Sequence, residues 1–430
     1  MVFKKRGAAY LVLACLISGQ SFGQTTLQER IDSTAPGATI QVDAGEYKGS
    51  IVIDKSLTLV GSELPVIDGE GEGSVISILA DDVTVRGFRI INSGTKLSKD
   101  NAGIHITGAR ATIASNHIED VLHGVYIKKA EGFRVINNRI VGKTTLPQNK
   151  LPDSESVAAD GPDLCSPLNI NSRGNGIHMW NSSGGLIDGN RVTETRDGIY
   201  FSFTRNTEVR ANHIHRVRYG LHYMYSDSNI FEGNTFEGNA AGAAIMYSKN
   251  LIVTGNRFVF NEGYRAYGLL LNSVDNTRIE GNFLTHNTVG IYIENNNRNT
   301  IIGNEIKDNY IGVRMTASSN DNSFTQNHFA GNMHAAEMAG QNESNTWSVD
   351  GIGNYWQNAD TVDIDADGIG DLPHREADLI GDLRRDAPIT GLLSGSPGLS
   401  LLEFIHRHAK LPGIDAIEDP YPLTPYFKKQ

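Results

Sequence analysis

A tetrad of asparagine, two variable residues and an apolar residue, often preceded by glycine, returns along the chain about every 22 residues. The gaps between successive anchoring asparagines are 22, 52, 22, 22, 22, 26, 22 and 23 residues. The anchors are Asn116, Asn138, Asn190, Asn212, Asn234, Asn256, Asn282, Asn304 and Asn327. A fixed period in this range is typical of a solenoid, in which each repeat buries its apolar face only against its neighbours. This repeat restricts the possible folds more than any other feature of the chain.

Each repeat contains short segments rich in Ile and Val, separated by turns of Gly, Ser, Asn and Asp. Strands this short, stacked parallel from coil to coil, predict an all-β, right-handed parallel β-helix with about three strands per coil. The repeated asparagine fits a corner position, where its amide stacks on the next one and binds turn backbone groups. Leu27 and Ile31 stand at helical spacing and predict a short N-terminal helix that covers the first coil.

Three regions are expected after the N-terminal segment. The repeats predict a β-helix over residues 24–349, and the 52-residue gap places a loop insertion at 143–174. Residues 350–430 form a tail with an acidic loop and an amphipathic helix at 399–409, which caps the last coil or docks a partner. The Pro-rich segment 419–427 is expected to extend outward as a docking element, because its prolines disfavour a sheet or a helix.

Residues 1–23 are predicted to form a cleavable secretory signal peptide. Lys4, Lys5 and Arg6 precede an apolar run too short to span a membrane, and Ser21–Gly23 fits a cleavage site. This segment predicts a periplasmic protein.

Removal of the signal peptide lowers the number of basic residues from 38 to 35, against 49 acidic residues. A surface this acidic argues against nucleic acid and anionic lipid as partners. Cys165 is then the only remaining cysteine, so no internal disulfide is expected. It is either a further soft ligand or a loop thiol.

Seven strands that begin with glycine align along the repeat. Period-two alternation gives each strand two outward positions, two and four residues after the glycine. The first outward column reads His178, Tyr200, His222, Ala244 and Leu270, and the second reads Trp180, Ser202, Met224, Met246 and Asn272.

Three outward residues are expected to converge on the central coils. His222 and Met224 share a strand, and Met246 lies beside Met224 on the next coil, about 4.8 Å away. Two thioethers and an imidazole form a soft donor set that suits Cu(I) better than zinc, magnesium or iron. The alternative is an exposed apolar strip, shared with Ala244 and Leu270, that docks a partner without metal.

The same coils and the tail resemble the NosD family of periplasmic maturation proteins for nitrous oxide reductase. The matching stretches are Tyr219–Asp227, Ala244–Ser248, Gly268–Asn272, Gly353–Trp356, Asp363–Asp371, Ser396–Leu402 and Asp419–Leu423. The resemblance implies a protein that associates with an ABC permease and its ATPase and takes copper from a membrane-anchored chaperone. It also implies that the chain helps load nitrous oxide reductase and catalyses no reaction itself.

An acidic loop in the tail resembles a calcium-binding loop. Positions 1, 3, 5, 6, 7 and 9 of that template correspond to Asp363, Asp365, Asp367, Gly368, Ile369 and Asp371. The Asp carboxylates and the Ile369 carbonyl would bind a hard ion such as Ca²⁺, and the glycine permits the sharp turn. Position 12 is His374 instead of the usual Glu, so a solvated acidic turn remains the alternative.

A β-helix enzyme that acts on an acidic glycan, such as a lyase, epimerase or hydrolase, is the competing function. That chemistry needs carboxylates or basic groups clustered on one outer face. The outward columns carry His, Tyr, Trp, Met and Leu instead, so the sequence favours copper binding.

Overall fold

The computed structural model describes residues 25–147, 165–167, 169–263, 266–339, 344–376, 389, 396–408 and 417–425. The predicted signal peptide lies outside these ranges, as does most of the predicted loop insertion. Within the described ranges, no helix combines the length and the apolar character needed to cross a membrane.

The described chain winds through about twelve coils, and each coil adds one strand to each of three parallel sheets. Sheet 1 comprises Thr39–Val42, Thr58–Gly61, Thr84–Arg86, Thr112–Ala114, Arg134–Ile136, Leu186–Asp188, Glu208–Arg210, Ile230–Glu232, Ile252–Thr254, Arg278–Glu280, Thr300–Ile302 and Ser323–Thr325. Sheet 2 comprises Glu46–Lys48, Val66–Asp68, Arg89–Ile91, His117–Val121, Arg139–Gly142, Arg191–Thr193, His213–His215, Thr235–Glu237, Arg257–Val259, Phe283–Thr285, Glu305–Lys307, His328–Ala330 and Tyr355–Trp356. Sheet 3 comprises Ile51–Ile53, Ile76–Ile78, Ala102–Ile106, His123–Lys128, Ile177–Trp180, Asp197–Ser202, Tyr219–Met224, Ala241–Lys249, Tyr267–Asp275, Val289–Glu294, Ile311–Thr316 and His334–Ala339. The predicted parallel β-helix is confirmed.

The core is a stack of apolar side chains between the three sheets. In sheet 3 the inward residues Ile199, Phe201, Leu221 and Tyr223 are at most 1% exposed. Glycine is required near the start of these strands because the backbones of adjacent coils approach closely at that position. A Cβ on Gly198 would lie 2.6 Å from the Gly220 carbonyl oxygen.

The anchoring asparagines form one continuous hydrogen-bonded ladder, as the repeat predicts. Each Oδ1 accepts the backbone N–H of the preceding anchor at 2.9–3.1 Å and also accepts that anchor's side-chain Nδ2. Every anchor is buried. Asn354, which falls after the repeat has faded from the sequence, extends the ladder by one more step. A buried polar ladder stabilises a fold only when each group has a partner, and here the stacking supplies one.

Asp419 ends the ladder. Its Oδ2 accepts hydrogen bonds from the Asn354 backbone N–H at 2.7 Å and from Trp356 Nε1 at 2.8 Å, and its Oδ1 accepts from the Tyr421 N–H at 3.1 Å. Burial raises the pKa of this carboxyl despite those hydrogen bonds. The side chain is fully buried.

The expectation that residues 419–427 extend outward is therefore wrong for the described part, 419–425. Ile417–Asp419 pairs antiparallel with His374–Glu376, and Leu423 forms bridges with Tyr355 and Ile369. The strand ends at Asp419, immediately before the first proline, so proline costs it no ladder hydrogen bond. Residues 426 and 427 lie outside the described ranges.

A helix lies at each end of the solenoid sequence. The N-terminal helix, Leu27–Ser33, starts with a capping box between Thr26 and Glu29 and buries Leu27 and Ile31, as expected for a cover over the first coil. The C-terminal helix, Pro397–His408, contacts the strand His374–Glu376. Leu401 and Phe404 remain 59% and 53% exposed, and the docking role of this helix stays a prediction.

The base of the loop insertion is a short antiparallel pair, Thr145–Pro147 with Cys165–Pro167. Residues 148–164 lie outside the described ranges. Cys165 begins the second strand of this pair.

We expect Asp419→Ala to destabilise the protein by about 2–4 kcal/mol, because it leaves buried donors of Asn354 and Trp356 without an acceptor. Denaturant unfolding followed by circular dichroism measures this change. The neighbouring Glu418→Ala is the control: it removes an exposed ion pair with Arg375 and should cost less than about 1 kcal/mol. Equal stability of the two variants would contradict the assignment of Asp419 as the end of the ladder.

Candidate metal centre

The predicted outward columns lie on sheet 3 as the alternation requires. Strand register pairs His178 with Tyr200, Tyr200 with His222, and His222 with Ala244. The first three side chains are partly exposed, whereas Ala244 is only 3% exposed.

Met224 and Met246 are direct register partners on adjacent coils. Both are partly exposed outward residues, so their thioethers share one face. His222 lies two residues before Met224 on the same face, and its side chain is 14% exposed. The structure thus brings the three predicted copper ligands to one place on the surface of sheet 3.

Asp197, one coil before His222, fixes the orientation of the imidazole. Its Oδ2 accepts a hydrogen bond from His222 Nδ1 at 3.0 Å, and the carboxylate also accepts from Arg218 Nε at 2.9 Å and Nη2 at 2.8 Å. Burial of Asp197 raises the pKa of its carboxyl, but the hydrogen bonds from His222 and Arg218 outweigh burial and hold that pKa below its ordinary value. An ionised carboxylate only accepts hydrogen bonds, so the proton of a neutral His222 ring lies on Nδ1.

This tautomer leaves the lone pair of His222 on Nε2, the atom available to a metal. A carboxylate that holds the other ring nitrogen is the usual support for a metal-binding histidine, because it fixes the tautomer and raises the basicity of the ligand. Asp197 supplies that support.

Two other histidines on this face carry the opposite tautomer. His123 Nδ1 accepts the Asn175 backbone N–H at 3.0 Å. The Asn175 side-chain oxygen accepts from Arg196, so its Nδ2 donates to His178 Nδ1 at 3.0 Å.

Burial lowers the pKa of His123 to about 4. Burial, followed by the positive charges near it, lowers the pKa of His178 to about 2. Both rings are therefore neutral at pH 7 with the proton on Nε2, which makes Nε2 a donor. Of these three histidines, only His222 offers Nε2 as a ligand.

The outward histidines belong to a longer ladder of rings. The centroids of successive rings lie 5.3, 4.3, 4.5 and 4.9 Å apart along His105, Tyr126, His178, Tyr200 and His222. These contacts hold His222 from the N-terminal side and restrict the movement of its ring.

Sequence reasoning missed two features of this site. His105 and Tyr126 follow Gly103 and Gly124 in the same Gly-x-aromatic pattern, which the alignment from Gly176 onward did not reach. Asp197 is the second feature: it stands at a coil corner, and the repeat indicates no partner column for it. The sequence does contain a signal for Asp197: it directly precedes Gly198, and the residue before the corresponding glycine is apolar in later coils.

An exposed stack of aromatic rings borders the two thioethers. Phe203, Tyr225 and Tyr247 are 55%, 48% and 50% exposed, and their neighbouring rings lie 5.4 and 5.0 Å apart with nearly parallel planes. Tyr225 and Tyr247 directly follow Met224 and Met246 in the chain. Each stack residue has a positive φ near 50°, an unusual conformation for a bulky side chain.

The acidic loop brings together part of the predicted calcium set. Oxygen atoms of Asp363, Asp365 and Asp371 lie within 4.8 Å of one another. Asp367 does not belong to this group, and its Oδ1 accepts the Ile369 N–H at 2.7 Å. His374 is buried, and its ring lies 4.8 Å from the Trp356 ring.

Comparison with solved structures shows the fold. The catalytic unit of a GH87 α-1,3-glucanase from Streptomyces thermodiastaticus matches with a TM-score of 0.57 and 15% identity, over 78% of this chain and 67% of that one. The A-module of the Azotobacter vinelandii mannuronan C-5 epimerase AlgE6 matches with a TM-score of 0.50 and 12% identity, over 77% and 94%. At such low identity, these likenesses carry no information about activity.

Comparison with protein sequences identifies the family more specifically than comparison with solved structures does. A family model described as periplasmic copper-binding protein (NosD) matches residues 155–361. A Pseudomonas aeruginosa protein described as a probable ABC transporter binding protein NosD is 36% identical over 399 residues, covering 88% of this chain and 86% of the relative. A Stutzerimonas stutzeri protein of the same description is 32% identical over 400 residues, covering 89% and 86%.

The fold defines a class: parallel β-solenoids, in which short strands stack from coil to coil into parallel sheets. Within this class, the chain belongs to the NosD family, whose family model is described as periplasmic copper-binding protein. The family resemblance inferred from the sequence is confirmed.

We expect Asp197→Asn to weaken Cu(I) binding by about tenfold or more, because the amide no longer fixes His222 as a charged acceptor does. Competition with a chromophoric Cu(I) chelator measures the affinity. Asp188→Asn is the matched control, since that carboxylate accepts from Arg210 at 3.1 Å on sheet 1, away from the thioethers. A folded Asp197→Asn protein with unchanged Cu(I) affinity would refute the positioning role.

Proposed function

We propose that this protein binds Cu(I) at His222, Met224 and Met246 and passes it on during the assembly of nitrous oxide reductase. The observation that carries the proposal is the alignment of two outward methionines beside an imidazole whose Nδ1 is held by Asp197, which leaves the Nε2 lone pair for a metal. The family description as copper-binding supports it.

The donor set fits Cu(I) in its chemistry. Thioether sulfur and imidazole nitrogen are soft or borderline ligands, which favour Cu(I) over zinc, magnesium and iron. Thioethers carry no proton, so protons compete less with the metal than they do at thiolate sites. Such neutral ligands hold copper without the strong charge attraction that would hinder its release.

The position of the site suits a carrier. The ligands lie on the outer face of a sheet, and the two methionines are partly exposed, so a ligand from another protein can approach them. We infer that copper moves by ligand exchange, from a membrane-anchored chaperone to this site and then to the reductase. The names of the relatives as ABC transporter binding proteins support association with an ABC permease and its ATPase.

The proposed role involves no catalysis by this chain. The carboxylate nearest the site, Asp197, is fully buried and is occupied by Arg218 and His222, so it is not free to act as a general acid or base on a glycan. This argues against the glycan-processing alternative at this position.

The double variant Met224→Ala/Met246→Ala should bind Cu(I) with an affinity at least about tenfold lower than that of the wild-type protein, because it lacks both thioethers and retains a single imidazole. Anaerobic Cu(I) titration against a chelator measures the loss. Magnesium should not bind the wild-type site.

Met333→Ala is the control for the loss of a methionine in general, since Met333 is 61% exposed and distant in sequence from the site. Unchanged affinity in the double variant, with normal circular dichroism, would instead favour a metal-free docking strip.

We also propose that the acidic loop holds a structural Ca²⁺ ion through Asp363, Asp365 and Asp371. The observation in favour is that Asp363 Oδ1 is buried without a hydrogen-bond partner, whereas Oδ2 accepts the Gly368 N–H at 3.0 Å. Hard oxygen ligands separate this ion from the soft copper site.

Calcium should raise the midpoint of thermal unfolding of the wild-type protein relative to excess chelator, because an ion bound only to the folded state stabilises it. Asp363→Asn should abolish the increase, while Asp321→Asn, an exposed acid elsewhere, should retain it. Identical melting in calcium and in chelator would rule out the ion.

A further inference from the structure

A basic groove crosses the outside of sheet 2, away from the proposed copper site on sheet 3. Strand register aligns five cationic or titratable residues in one outward column: Arg89, His117, Arg139, Arg191 and His213. Adjacent members lie about 4.8 Å apart along the solenoid. Such a row is unexpected in a chain with 49 acidic and 38 basic residues.

The groove itself encloses about 560 Å³ and is lined by three arginines, Arg139, Arg191 and Arg216, and by a single carboxylate, Glu237. Glu237 Oε2 lies 2.9 Å from His213 Nε2, so this carboxylate is already partnered. Arg139 pairs with Glu119 and Arg216 pairs with Glu194. Each of these two glutamates also pairs with a second arginine, Glu119 with Arg89 and Glu194 with Arg173, so five arginines stand against three carboxylates in and around the groove and positive charge is in excess.

Among the arginines that line the groove, Arg191 is the one without a carboxylate partner among the described residues. Its Nη2 contacts His213 Nδ1 at 3.1 Å, which leaves its other N–H groups for a ligand. The side chain is exposed. A planar guanidinium with free donors binds a carboxylate or a phosphate through two parallel hydrogen bonds.

Thr193 supplies an independent observation that points to a ligand. This residue lines the groove and is only 8% exposed, and its hydroxyl oxygen is buried without a hydrogen-bond partner among the described residues. Buried polar groups in folded proteins are almost always hydrogen-bonded, so an unpaired hydroxyl in a groove wall is suited to a bound ligand.

A cation does not fit this position. In the described part of the chain, the side chains of His213, His215 and Glu237 are not grouped closely enough to form a metal cluster. Burial is the main cause of the lowered pKa of His215, and the nearby His213 and Arg216 lower it further. The arginines around the groove attract an anion and repel a cation.

We propose that this groove binds an oxyanion group, a carboxylate or a phosphate, through Arg191 and the Thr193 hydroxyl. Arg191 provides the charged, bidentate contact, and Thr193 donates its otherwise unpaired O–H. The proposal concerns a site separate from the copper ligands and does not depend on copper binding.

The test titrates the full chain with two probes, inorganic phosphate and a hexaglutamate peptide, at constant ionic strength maintained with chloride. Isothermal titration calorimetry should show saturable binding of at least one probe to the wild-type protein. Arg191→Gln should weaken that binding at least tenfold, and Thr193→Val should weaken it several-fold while preserving the shape of the side chain. Arg257→Gln is the matched control, because Arg257 lies in the same outward column but over the Phe283 ring, outside the groove.

Each outcome of these titrations either supports or overturns the proposal. Tighter binding of phosphate identifies a site for a free oxyanion, and tighter binding of the peptide identifies a site for an acidic segment of a partner protein. Absence of saturable binding with both probes overturns the proposal, as do unchanged affinities in folded Arg191→Gln and Thr193→Val proteins. An equal loss in Arg257→Gln would mean general charge attraction instead of a site, and would also overturn it.

Discussion

The stacking of one coil on the next governs everything else in this molecule. A buried asparagine is tolerated at each corner because the preceding coil supplies the donors for its side-chain oxygen and the following coil accepts from its N–H groups, which requires the same register in every coil. A coil shifted by one residue would leave these amides unpaired and would turn the inward Ile199 and Leu221 columns toward solvent. The ladder and the core therefore impose the same register, and insertions are confined to the corners.

Much of this architecture could be predicted from the residues. The anchors gave the period, and alternation from each strand-opening glycine correctly separated inward Phe201 and Tyr223 from outward His222 and Met224. The prediction worked because in a stacked sheet the neighbour of a residue is the residue one period later. Met224 and Met246 are aligned because they are separated by one period of the repeat.

The parts that sequence reasoning missed depend on contacts that no period describes. Asp197 is the register partner of Tyr219 on the next coil and reaches His222, three residues further along that strand, and this contact decides which ring nitrogen can bind a metal. Asp419 returns to the end of the ladder across 65 residues from Asn354, over a tail without repeats. Proline content suggested an extended segment, but tertiary hydrogen bonds to a buried carboxylate outweighed that local preference.

The ladder has a direction, and this has a consequence for association between molecules. Every anchor donates toward the C-terminal end and accepts from the N-terminal side, so an open last coil would present unpaired donors and strand edges that match the first coil of another copy. Asp419, an acceptor with no donor to offer, closes that end, and the helix Leu27–Ser33 covers the other. The tail thus leaves the last anchor, Asn354, without an unpaired ladder donor that could engage a second copy.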